Sequence, residues 1–274
     1  MSVAPASRGM QWPTAGPGVP GLPRTLVASP SIAITEIAYR PGDAQPPHHH
    51  AVGSVTLVLA GGLEERVGPT HETGRPLSVV VKPAGIEHAD RVGPDGALTI
   101  QIAVRSDLFG EGRTEAWRWL HGDRAARLFL GCLATACTDR DDPAMIEAQV
   151  VDLIAALAED ERSDSKAPPR WLETVAQTVD DTFADGPRVD ALAREAGVHP
   201  VYLARRFRRH YGTSITERVR QRRVERAADL LGGSRTPLSA VAQESGFADQ
   251  SHLSRVFRRV TGLTPGGYRA LAHG

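Results

Sequence analysis

The feature that most constrains this fold is a motif written twice in the last third of the chain. Ala193, Gly197, Leu203, Arg205, Phe207 and Gly212 return as Ala242, Gly246, Leu253, Arg255, Phe257 and Gly262. The alanine and the first glycine recur 49 positions later and the other four 50 later, so the second copy has one extra residue in its turn. Each copy reads as a short helix, a glycine turn and a second helix bearing arginines, the pattern of a helix-turn-helix. The copies are expected near residues 189–211 and 237–261. Leu203 and Phe207 are four apart, as are Leu253 and Phe257, so each pair shares one helix face and is expected in the core. The opposite face then carries Val201, Ala204, Arg205 and Arg208 in the first copy. In the second it carries Gln250, Ser251, Ser254, Arg255 and Arg258.

Between the copies, Ser214 and Glu217 form the spacing of a capping box. The helix they open is expected to run to about Leu231, with Gly232 and Gly233 ending it. At about 1.5 Å per residue it is roughly 27 Å long. Its Arg218, Arg220 and Arg222 read as surface or phosphate-contacting residues. Trp171–Phe183 reads as a helix ahead of the first copy, Thr236-Pro237 as the start of the second copy, Asp249 as the cap of its second helix, and Thr264-Pro265 as the start of a last short helix.

Charge separates this region from the rest. The whole chain carries 32 basic and 32 acidic residues, but residues 166–274 hold 18 Lys and Arg against 11 Asp and Glu, and residues 1–165 hold 14 against 21. A basic half inside a neutral chain points to a polyanionic partner for that half. Seventeen of its 18 basic residues are arginine, the side chain suited to bidentate contact with phosphate and guanine.

The first half has a different period. Residues 1–24 hold five prolines and several glycines and are expected to be disordered. From about 25 to 105 the period is two: Ile32–Ala38, Ser54–Ala60, Leu63–Val67, Leu77–Lys82 and Leu98–Val104 read as strands. Turns are expected at Pro41-Gly42, Gly61-Gly62 and Pro94-Asp95-Gly96. Short strands at this spacing suggest a small β-barrel or sandwich. Residues 112–160 switch to a helical period, with Trp117, Leu120, Leu128 and Leu133 on one helix and Met145, Ile154 and Leu157 on another that Asp142-Pro143 opens. The polar run 161–169, ending in two prolines, reads as a linker. The fold class is therefore α+β and multidomain, with a β-barrel plus helices over 25–160 and an all-α domain with two helix-turn-helix motifs over 170–274.

Within the barrel, Gly42 precedes His48, His49 and His50, and Pro83, Gly85 and His88 follow. On an extended strand His48 and His50 point to one face. With His88 they offer three imidazoles, a set that binds a small ligand or a divalent metal. Glu87 is expected to face away from His88. Cys132 and Cys137, five apart in one helical pattern, do not share a face, and read as reduced thiols rather than a disulfide.

These motifs resemble two known families. The Gly42 to Ser54 and Pro83 to His88 stretches resemble the two cupin motifs, with Ser54 where the metal-binding pattern has a carboxylate and Leu77 where it has a glycine. Residues 170–274 resemble the DNA-binding domain of AraC/XylS-family transcription regulators. The resemblance rests on Ala242, Gly246-Phe247, Ser254-Arg255, Phe257, Gly262, Thr264-Pro265 and Tyr268-Arg269, with Arg223, Ala227 and Leu230-Leu231 before them. His199 stands where the family often has Ser or Thr, and His252-Leu253 where it often has an aromatic pair.

The resemblance implies a sequence-specific, DNA-binding transcription regulator, activator or repressor, rather than an enzyme. Double-stranded DNA is its partner, and a small-molecule effector of unknown identity sits in the barrel. Base contacts are implied at Val201, Ala204, Arg205, Gln250, Ser251 and Arg255, since arginine bridges guanine and glutamine pairs with adenine; Arg208 and Arg258 suit phosphates. Homodimerisation and contact with RNA polymerase belong to the same expectation. No apolar run is long enough to cross a membrane and no charged start precedes an apolar core, so a cytoplasmic location is expected. No cofactor is required, apart from a divalent metal at His48, His50 and His88. Two rival readings are a cupin-type metalloenzyme joined to a DNA-binding module and a regulator whose barrel binds nothing.

Overall fold

The computed structural model describes residues 21–105, 117–138, 143–158 and 168–273. The disorder expected over 1–20, the linker over 161–167 and the Asp142 cap lie outside the described residues. Among these residues eight strands come first: β1 (Leu22–Ala28), β2 (Ile32–Tyr39), β3 (Ala44–His48), β4 (Gly53–Val67), β5 (Thr70–Gly74), β6 (Val79–Lys82), β7 (His88–Val104) and β8 (Arg118–Leu120). Among the described residues nine helices follow: α1 (Asp123–Thr138), α2 (Pro143–Ala158), α3 (Arg170–Thr182), α4 (Val189–Glu195), α5 (Pro200–Tyr211), α6 (Ile215–Gly233), α7 (Leu238–Glu244), α8 (Gln250–Thr261) and α9 (Pro265–His273). A 3₁₀ turn, Phe183–Asp185, extends α3. The α+β class holds, with an antiparallel β unit and a helical unit built on two helix-turn-helix motifs. Among the described residues no helix is long and apolar enough to cross a membrane.

The β unit differs from the expected string of short strands. Gly61-Gly62 and Pro94-Asp95-Gly96 are not turns; they are bends inside two long strands, β4 and β7, which pair along their whole lengths with register shifts at Val58/Ala60 and Gly61/Leu63. The bends divide the sheet. β1, β2, the second half of β7, the first half of β4, β6 and β8 form one wall; β3, the first half of β7, the second half of β4 and β5 form the other. At the bend the backbones touch. Gly61 has φ +73°, and a Cβ there would stand 2.0 Å from the carbonyl oxygen of Gly96, which only glycine avoids. A bulge and an outright turn carry the same glycine-rich signature, which is why the sequence suggested turns.

Two more expectations fail. Leu22–Arg24 belongs to β1, whose residues pair with β2, so ordered structure begins before residue 25. Arg118–Leu120 forms β8 against β6 and not the start of a helix, which begins only at Asp123. Three residues are too few for periodicity to separate strand from helix.

The first wall has two unlike faces. Ile34, Val55, Leu57, Leu59, Val79, Val81, Ile100 and Ile102 are buried against α1, α2 and the C-terminal half of α6, and this core continues through Phe247, Leu253, Phe257 and Tyr268. The β unit and the second helix-turn-helix therefore share one core. Leu172, Val179, Leu192, Leu203, Phe207 and Ile215 make a separate core for α3, α4 and α5. The helical unit is one domain by sequence but two packing units.

α6 also runs two residues past its expected end, to Gly233, where Ser234 is extended. Gly232 is there for closeness, not for stopping the helix: a Cβ on it would lie 2.8 Å from the Ala60 Cβ and 3.3 Å from the Leu59 oxygen. Gly232→Ala should thus push α6 off β4 and cost about 1–3 kcal/mol in urea melts. Gly233→Ala, with nothing within 4 Å of the added carbon, should be neutral or slightly stabilising.

Candidate functional site

The candidate recognition face lies on α5 and α8. α5 and α8 start alike, each capped by a side chain: His199 Nδ1 accepts from the Val201 N–H at 3.3 Å, and Asp249 Oδ1 from the His252 N–H at 2.7 Å. His199 thus serves where a Ser or Thr is more usual. Leu203, Phe207, Leu253 and Phe257 are fully buried, as their spacing requires. Val201, Ala204, Arg205 and Arg208 are exposed together on α5; Gln250, Ser251, Arg255 and Arg258 are exposed on α8, with Ser254 half-buried beside them. Among the described residues Val201 is the most exposed large apolar side chain, at 58%. No hydrogen bond or ion pair within the described residues holds the side chain of Arg205, Arg255 or Arg258.

The arginines of α6 behave differently. Arg218 forks onto Asp180 at 2.9 and 2.5 Å, and Arg222 reaches Asp180 at 3.5 Å and also Glu225. The expectation that Arg218 and Arg222 face solvent or phosphate is therefore corrected: Asp180 on α3 and Glu225 on α6 engage them. The signal was in the sequence, as Arg222 and Glu225 stand three apart on one helix.

Glu225 belongs to the seam between the units. It is 3% exposed; burial pushes its carboxyl up, against the pull of Arg75 and Arg222. Arg75 reaches it from the β unit at 2.8 Å. Four more bonds cross the seam. The Gly61 N–H donates to Asp229 (2.8 Å), the Tyr268 hydroxyl to the Leu59 carbonyl (2.8 Å), Gln221 to the His121 carbonyl (2.7 Å) and Arg127 to the Val260 carbonyl (3.2 Å).

The second site lies between the walls. Ser54 and Lys82 are directly opposed on β4 and β6, and Gln101 donates to Ser54 at 3.3 Å. This face of the first wall is polar yet buried: Ser54, Thr56, Lys82 and Thr99 are all under 7% exposed. The facing wall carries His48 opposite His88, Gln45 opposite Asp90 and Glu65 opposite Asp90. Lys82 bridges the walls by pairing with Glu65. Burial opposes the ammonium charge, but Glu65 and Asp90 outweigh it and hold Lys82 protonated.

His48, His50 and His88 converge here, as their spacing suggested. Each offers a nitrogen, and these atoms lie within 4.8 Å of one another. The Gly85 N–H donates to the His50 carbonyl at 2.9 Å, which ties the two motif loops together. Trp117 packs on His88, ring centres 4.3 Å apart. Burial, then the nearby Lys82, pushes His50 down to about 4 and His88 to about 3, so both rings are neutral at pH 7. Glu87 is exposed, as expected. Leu77 has φ +67°, a left-handed conformation in the place where the cupin pattern has glycine.

Sequence reasoning missed Asp90, Glu65, Lys82 and Trp117. Asp90 was legible, since residues 88 and 90 of one strand share a face. Glu65 and Lys82 were not, because their meeting depends on the bend in β4.

Comparison with known proteins bears on the helical unit. Residues 192–271 match a family described as a helix-turn-helix domain. The regulatory protein SoxS of Salmonella typhimurium is 33% identical over 98 residues, 36% of this chain and 92% of SoxS. The arabinose operon regulatory protein of Escherichia coli is 31% identical over 111 residues, 39% of this chain and 38% of that protein. The HTH-type transcriptional regulator GlxA of Rhizobium meliloti is 39% identical over 79 residues, 29% of this chain and 24% of its own length. The chain thus spans a quarter to two fifths of the two longer relatives and nearly all of the short one. With the duplicated motif folded as two helix-turn-helices joined by α6, and a relative matched over almost its whole length, the chain belongs to the AraC/XylS family of transcription regulators.

Proposed function

We propose that the chain is a sequence-specific DNA-binding transcription regulator, that α5 and α8 read successive major-groove segments, and that a ligand held between the β walls controls it. The observation that carries the reading is the repeated exposed arginine face, Arg205 on α5 and Arg255 on α8, over a buried leucine and phenylalanine. The 19 residues of α6 span about 28 Å, close to the ~34 Å separating two faces of one DNA turn. Arg205, Gln250, Ser251 and Arg255 suit base edges. Arg208 and Arg258 suit phosphates, Ser254 reaches the groove beside Arg255, and Val201 and Ala204 give apolar contact. The reading places the protein with the DNA in the cytoplasm, acting on transcription by RNA polymerase as a single chain or a pair.

Control through the β unit is supported by the seam. β4 carries Glu65 inside the walls and, a few residues away, Gly61 and Leu59 against the helical unit. A ligand that moves Glu65 moves the same strand that holds Asp229 and Tyr268. No residue set for an enzymatic reaction is needed by this reading.

The experiment is operator selection from random DNA, followed by binding of Arg255→Ala. The substitution should cost about 1–3 kcal/mol at the selected site and relax preference at one base pair. An equal loss on random DNA would remove the base-reading role.

A further inference from the structure

We propose that the groove between α9 and the loop joining α6 to α7 is a site for the phosphates of a DNA strand, held by Arg235, Arg269 and His273 at the outer edge of the segment that α8 reads.

The groove has a volume of about 540 Å³ and is lined by Arg235, Gly266, Arg269, Ala270 and His273. Gly266, Ala270 and His273 stand four and three apart, so they form one stripe along α9, with Arg269 beside it. Three of these five side chains are basic, and none carries a carboxylate. In a chain with as many acidic as basic residues, such a lining is complementary to an anion. Two arginines favour phosphate among anions, because the guanidinium fork matches its oxygens in pairs.

The groove is also built, not merely basic. Arg269 Nη2 donates to the Thr236 carbonyl in the loop. His273 Nε2 lies 3.1 Å from the Leu231 carbonyl near the end of α6. A carbonyl only accepts, so that nitrogen carries the ring proton. Two side chains of α9 thus tie down the backbone on both sides of Arg235. Arg235 itself is exposed, and no hydrogen bond or ion pair among the described residues holds its side chain. Thr236 uses one of the five N–H donors of Arg269, and Arg269 Nε has no acceptor. A fixed frame with spare donors is what an acceptor-only ligand requires.

Position selects a DNA strand over a free phosphate. α6, α7 and α8 follow the order of a three-helix domain whose third helix reads the major groove. In that arrangement the loop between the first and second helices meets the DNA backbone, and Arg235 occupies that loop. From Gly266 to His273 the stripe runs about 10 Å, long enough for two successive phosphates, which rise about 3.4 Å along a strand. The first copy lacks this arm: Arg188, ahead of α4, pairs with Asp190 at 3.0 Å.

The proposal rests on α8 as a recognition helix and adds a contact that carries no sequence information. Its test compares the full chain with Arg235→Gln on the selected operator and on random DNA, across a range of salt. The variant should bind both DNAs several-fold more weakly, with the slope of log K against log salt reduced by about 0.9. Arg235→Lys, which keeps the charge, should restore the slope. Operators carrying one uncharged methylphosphonate beyond the bases under α8 should bind the parent chain more weakly at one or two positions. Arg235→Gln should be indifferent at those positions. An unchanged slope in Arg235→Gln, or a loss confined to the operator, overturns the phosphate site while base reading by α8 stands. Saturable binding of inorganic phosphate that needs Arg235 but leaves DNA affinity untouched assigns the groove to a free ligand and overturns it too. Failure to select any operator overturns the reading of α8 beneath it.

Discussion

Phe257→Ala should lower the stability of this protein by about 3–5 kcal/mol, a large part of the roughly 5–15 kcal/mol that holds a typical domain folded. The side chain is fully buried and meets the Tyr268 ring edge-on at 5.3 Å. Tyr268 in turn is anchored to the Leu59 carbonyl in β4. The cavity therefore opens in the core that the β unit and second helix-turn-helix share, and the main melting transition should fall as one. Phe207→Ala removes the equivalent residue of the first copy from its own smaller core. It should loosen α3 to α5 ahead of the rest, visible as early loss of amide protection in those helices. Unchanged melting in Phe257→Ala would mean the buried face of α8 is misassigned.

Lys82→Met should cost about 3–5 kcal/mol near neutral pH, the usual penalty for leaving one member of a buried pair behind. The stranded group is Glu65, 1% exposed. Its carboxyl is already pushed up by burial to about 7 even with Lys82 to oppose the shift. Without the ammonium it rises further. A carboxyl whose folded pKa exceeds its unfolded one holds more protons when folded, so its penalty grows as pH climbs above the unfolded value of about 4.3. The deficit of the variant against the parent should therefore widen from pH 5.5 to pH 8 in paired urea melts. A deficit that is constant with pH would show that Glu65 is not the stranded charge.

The helical unit was almost fully legible because its signals are local. Caps, glycine turns and leucine–phenylalanine pairs act within a few residues, so Ser214, Asp249, Leu253 and Phe257 could be placed from spacing alone. The histidines were legible for the same reason, with alternation along a strand and a proline-glycine turn. What escaped is long-range. Gly61 and Gly96 meet across two strands 35 residues apart, and their closeness, not a turn, is what the glycines record. Lys82 finds Glu65 only because β4 bends there. Gly232 looked like a helix stop because nothing nearby in sequence announces Ala60. Arg218 and Arg222 looked like a nucleic-acid surface because their partner, Asp180, sits on another helix.

The division of the interior into two cores sets a direction of influence. The second reader has no joint between itself and the β unit, whereas the first is attached through the N-terminal half of α6 and the Asp180 pairings. If α5 and α8 read DNA as proposed, the second fixes where the protein stands, and the first has latitude to follow the groove. Operators with a varied gap between their two segments should then be tolerated by adjustment at α3 to α5, while sequence changes under α8 are not.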